Sequence, residues 1–152
     1  MPPREDPAEQ IRKYLEFSIK HHRELILNGD DEHYEQLRTD LASNGVARII
    51  HPEEQIVGIA DGFPTRTFFG RSRSRVLLIR TNERLIVGSV STGWTTLAMS
   101  DAVTSQYDLG AYRRLVLKFK DRTLRFERVQ AYDARQIMVS PFTYLEPREP
   151  LW

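Results

Sequence analysis

Two periods divide the chain. From Ile11 the apolar positions recur at helical spacing, and from Gln55 they alternate as strands do. Asp6-Pro7-Ala8-Glu9 forms a helix start. Asp6 can cap, Pro7 suits the first helical position, and Glu9 completes a capping box. Ile11, Tyr14, Leu15, Ile19, His22 and Ile26 then share one face, and Gly29 is a natural stop. Asp30 or Asp31 can open a second helix with Tyr34, Leu37 and Leu41 inward, ended by Asn44-Gly45. Each apolar stripe needs cover from the other helix, from the sheet that follows, or from a partner chain.

The strand-like part begins with Gln55–Ala60, broken by Asp61-Gly62 and Pro64, and continues with a short Thr65–Phe69. Arg75–Thr81 and Arg84–Val90 are the clearest pair, joined by Asn82-Glu83. Trp94–Ala98 and Val103–Asp108 follow. Tyr112–Phe119 and Arg122–Val129 make a further hairpin around Lys120-Asp121. In that hairpin Leu115, Leu117 and Phe119, then Leu124 and Phe126, alternate with polar residues, so one face is core and the other wet. Gln130–Val139 returns to helical character, with Ala131, Ala134, Ile137 and Met138 inward. The tail from Pro141 to Trp152 holds Pro147 and Pro150 and reads as extended. Helix, helix, about seven short strands and a helix predict an α+β chain. Its antiparallel barrel or sandwich is capped at one end by the last helix.

Composition narrows the function classes. With 152 residues, 40% apolar, 28% charged and a net charge of +1, the chain suits one globular domain. It has no cysteine, which excludes disulfides, a thiol nucleophile and thiolate metal sites. The longest apolar runs, such as Val76–Ile79, fall far below the ~18 residues of a membrane span. No secretory signal is visible behind Met1, so a cytoplasmic location is expected. The charge is uneven. Residues 1–54 carry seven Lys/Arg against twelve Asp/Glu, while residues 55–152 carry fifteen against nine. An acidic helical part therefore precedes a basic strand part, and the two can attract within or between chains.

The stretch Arg75-Val-Leu-Leu-Ile-Arg-Thr-Asn-Glu-Arg-Leu-Ile-Val-Gly-Ser89 has an apolar strand ending in Thr81, a two-residue turn, and Arg84 opening the next apolar strand. It resembles a signature of the pleckstrin-homology-like (PH-like) superfamily, nearest to small bacterial domains of the YokE type and to GRAM domains. His51-Pro-Glu-Glu54 before the first strand is similar to the entry of those domains, without its glycine. The resemblance covers about residues 46–140. It implies a PH-like domain at 46–140 ending in a helix; the helical hairpin at 1–45 is not part of that core pattern and precedes it, and a tail at 141–152 follows. The resemblance also implies an interaction module more than an enzyme.

The candidate chemistry is basic. Arg66, Arg71, Arg73, Arg75, Arg80 and Arg84 face only Glu83 in residues 66–84. In an extended chain Arg71, Arg73 and Arg75 share one side, and the planar guanidinium suits phosphate. Anion or lipid-headgroup binding is thus expected at Arg66, Arg71, Arg73, Arg75 and Arg84, where PH-like domains that bind phosphoinositides carry a basic loop. Phe68, Phe69 and Trp94 are the candidate interaction surface, and with the arginines they could stack on nucleic acid. No G-x-S-x-G, P-loop or G-x-G-x-x-G is present, so no catalytic residue is named and no enzyme is expected. His21, His22 and His33 lack metal-ligand spacing, so neither a metal nor a cofactor is expected. A protein partner or a homo-oligomer is the leading expectation. An anionic membrane surface comes next, and nucleic acid after it.

Overall fold

The computed structural model describes residues 6–21, 48–65, 75–89, 93–110, 112–138 and 142–145. The second expected helix, most of Thr65–Phe69 and the far tail lie outside these residues. Helix α1 (Pro7–His21) starts where the capping signal places it, and the Asp6 carboxylate accepts the Ala8 N–H at 3.1 Å. Strands β1 (Ile56–Pro64), β2 (Val76–Thr81), β3 (Arg84–Ser89) and β4 (Gly93–Ala98) follow. A single 3-10 turn at Met99–Asp101 leads to β5 (Ala102–Asp108), β6 (Arg114–Phe119) and β7 (Thr123–Glu127). Helix α2 (Ala131–Ile137) and strand β8 (Phe142–Leu145) complete the order.

The strands run β4-β3-β2-β1-β7-β6-β5-β8 across one sheet. The first seven in sequence pair antiparallel, and β8 joins the far edge parallel to β5. The architecture is α+β with a sandwich-like sheet, as the strand pattern predicts. β1 belongs to both halves. Ile56 to Gly62 pair with β2, and Phe63 and Pro64 pair with β7.

Two expectations change here. Asp61-Gly62 does not end the first strand but lies inside it, and β1 runs nine residues without a break. A Cβ on Gly62 would stand 2.7 Å from Val129 Cγ2, so glycine is what lets β1 cross that residue while it changes partners. Of the tail expected to be extended, the described segment Phe142–Leu145 is a paired strand.

The main core lies between the halves. It joins Val76, Leu78, Leu85 and Val87 to Leu115, Leu117, Leu124 and Phe126, closed by Ala134, Ile137 and Met138 of α2. A second cluster lies on the other side of β2 and β3, where Leu77, Ile79 and Ile86 meet Ile11 and Leu15 of α1 and Ile50. β2 and β3 are therefore buried on both faces. That explains why Val76–Ile79 is a continuous apolar run where β6 alternates. Among the described residues, Ile11 and Leu15 of the first helical stripe are covered by the sheet.

Candidate functional site

Three of the six arginines in residues 66–84 lie among the described residues, and all three are built into the fold. Arg75 is 2% exposed, pairs with Asp61, and holds its guanidinium 4.6 Å from the centre of the Phe63 ring. Arg80 extends from β2 to the end of α2 and donates to the carbonyls of Ile137 and Met138. A cation there satisfies carbonyls that the helix leaves without partners. Burial lowers its pKa.

Arg84 grips Glu54, which has no exposed surface, and donates to Ile49 O at 2.6 Å. Arg75 and Arg84 are thus engaged by buried carboxylates, where the sequence led one to expect them facing an anion. Each guanidinium is turned inward because a buried carboxylate needs it. Arg66, Arg71, Arg73, Phe68 and Phe69 lie outside the described residues. Trp94 is described. It is partly buried and packs against the second cluster.

The Thr81–Arg84 signature has a structural meaning. Thr81 Oγ1 accepts the N–H groups of Glu83 and Arg84 at 3.1 and 2.9 Å, which closes the turn. The same hydroxyl donates to Glu54 Oε2 at 2.5 Å, and His51 N donates to Glu54 Oε1 at 3.0 Å. Burial pushes the Glu54 pKa up. The hydrogen bonds from Arg84, Thr81 and His51 N outweigh it and hold the carboxyl at about 2. Motif, turn and entry segment form one clamp. His51, Glu54 and Glu83 bring possible ligand atoms within 4.8 Å of one another, but both Glu54 oxygens already serve this clamp.

What remains available lies at the sheet's margins. β4 is an edge strand, and among the described residues Trp94 to Ala98 pair only with β3. Its sequence Gly-Trp-Thr-Thr-Leu-Ala has no charge and no proline, the devices that normally protect an edge. Beside it a cleft of about 180 Å³ opens between Thr96, Leu97 and Ala98 and the β6–β7 turn, with Phe119 inside and Asp101, Asp121 and Arg122 around it. Drug-sized ligands need roughly 300 Å³ or more. This cleft suits one side chain of an incoming strand instead.

A second, larger groove of about 430 Å³ crosses the outer face of β5, β6 and β7. Its Arg114 and Arg125 are offset by Asp108 and Glu127, with Arg114 3.7 Å from Glu127. That balance gives no preference for an anion. Both margins escaped the sequence reading. The missing charges of residues 93–98 were the available signal for the first. The second depends on which strands become neighbours.

No family model matches the chain, and no curated protein is similar to it. Among solved structures, the chain is similar to the hSac2 domain from human phosphoinositide phosphatase Sac2, at 13% identity and a TM-score of 0.43. The match covers 76% of this chain and 90% of that one. Agreement at that level transfers neither fold nor activity. Among the described residues no helix is long and apolar enough to cross a membrane.

Proposed function

We propose that this chain is a non-enzymatic, PH-like interaction module that takes an extended segment of a protein partner, or of a second copy, along β4. The element order supports the PH-like part of this reading. Two antiparallel halves share β1, and a helix after β7 closes the core. The observation that carries the function is the β4 edge, uncharged and beside a cleft of side-chain size. Strand addition there would complete backbone hydrogen bonds and place alternate side chains in the cleft.

The anion reading keeps a narrower base, since it now rests on Arg66, Arg71 and Arg73 alone. Thr96 is exposed, so Thr96→Lys leaves the core intact and puts a charge on the edge. Light scattering after size exclusion, with a pull-down from the host, tests the proposal. Self-association or partner capture that Thr96→Lys reduces at least tenfold supports it. A strict monomer that recovers no partner, or capture unchanged in the variant, overturns it.

A further inference from the structure

A second buried polar cluster lies where three elements meet. Tyr14 of α1 brings its phenolic oxygen to 2.7 Å from Asp61 Oδ2 on β1 and 2.9 Å from Asp133 Oδ2 on α2. Both aspartates are buried, at 4% and 6% exposure. A phenol has one proton and can donate to only one of them. Two ionised carboxylates at these distances would leave one oxygen pair in contact with no proton between them. Asp61 already holds an ion pair with Arg75. The arrangement closes when Asp133 carries a proton and donates it to Tyr14, while Tyr14 donates to Asp61.

We propose that Tyr14, Asp61 and Asp133 form a proton-operated latch, which holds α1 on the sheet while Asp133 is protonated and loosens it when that proton leaves. Burial raises the Asp133 pKa and so does the Asp61 charge, and together they outweigh the opposing Tyr14 hydrogen bond and bring it to about 7. Tyr107 of β5 also acts across this space, with its hydroxyl on Val129 O at 2.6 Å and Arg113 beyond it. Arg75 reaches the cluster through Asp61. Burial beside both carboxyls keeps the Tyr14 phenol protonated throughout the neutral range.

Loosening α1 uncovers an apolar face. Ile11 and Leu15 leave Leu77, Ile79 and Ile86, and Trp94 loses part of its cover. The direction follows from proton linkage. Docked α1 binds the extra proton, so its opening equilibrium rises by up to about tenfold per pH unit below pH ~7 and levels off above it.

Hydrogen exchange of the α1 amides in the full chain at pH 5, 6, 7 and 8, corrected for intrinsic rates, reads this directly. The emission of Trp94 in a Trp152→Phe background is a second readout. Asp133→Asn supplies a permanent donor to Tyr14 and removes the titrating carboxyl. Protection that falls from pH 5 to 7 in the wild type and stays level in Asp133→Asn supports the latch. The same pH dependence in both proteins, or none in the wild type, overturns it. Should Asp133→Asn fail to fold, Tyr14→Phe keeps the ring and removes the bridging oxygen. Its α1 protection at pH 5 then drops to the wild-type level at pH 7 or below. Protection equal to wild type at pH 5 overturns the proposal.

Discussion

Arg75 reaches back across the β1–β2 pair to Asp61, and the two side chains are 1% and 5% exposed. An ion pair sealed this far from water couples the fates of its members. Removing one leaves the other as an uncompensated buried charge, which costs about 3–5 kcal/mol. Arg75→Ala is therefore expected to destabilise the fold by that amount, with Phe63 also losing its cation contact. Urea unfolding measures it. A loss below about 1 kcal/mol would contradict a pair sealed from water.

Glu54 gives the acid limb of the stability profile. Its folded pKa of about 2 lies below the ordinary carboxylate range. The stabilisation is complete above the unfolded value and disappears as the pH falls through about 2. Glu54→Gln removes this dependence and leaves Arg84 short of a partner. The variant should be less stable at pH 7, while its loss between pH 5 and pH 2 is shallower than in the wild type. Thermal unfolding across that range checks both.

Gly58 is the point where α2 rests on β1. A Cβ there would lie 2.4 Å from Gln136 Cβ and 2.5 Å from its backbone oxygen. Backbone cannot rotate aside as a side-chain tip can. Gly58→Ala should cost about 1–3 kcal/mol by overpacking and displace α2, which Arg80 also holds. Circular dichroism with urea unfolding measures the cost. An unchanged midpoint would show that α2 has room to move.

Leu15 tests the second cluster. It is fully buried against the outer side of β2 and β3. Leu15→Ala should cost about 2–5 kcal/mol if α1 unfolds together with the sheet. If α1 opens alone, global stability stays near wild type and only the α1 amides exchange faster. Hydrogen exchange separates the two outcomes.

The hairpin of β6 and β7 was legible residue by residue, because Leu115, Leu117 and Phe119 alternate with solvent-facing neighbours. So was the start of α1. β1 was legible only over its first half, to Ala60. Asp61-Gly62 carries the local chemistry of a turn, and only a distant arginine and the approach of Val129 make a strand of it. The partners of Arg75 and Arg84 were hidden for the same reason. The spacing of the arginines matches a phosphate-binding loop, while their partners Asp61 and Glu54 lie 14 and 30 residues back. The unbroken Val76–Ile79 run did hold a usable sign, since a strand that is apolar on both sides needs two covering layers. β8 was readable only as extended, because strand pairing with β5 is set by where α2 leaves the chain.

The position of β1 sets the order in which the molecule can assemble. β2, β3 and β4 can zip as successive hairpins, and so can β5, β6 and β7, each with short loops between partners. Phe63 meets Glu127 only across more than sixty residues of chain. That closure carries most of the loop entropy and joins two halves that otherwise share no strand. Folding is thus governed by one late docking event. Substitutions at Phe63 or Phe126 should slow refolding more than equally destabilising ones inside either hairpin set.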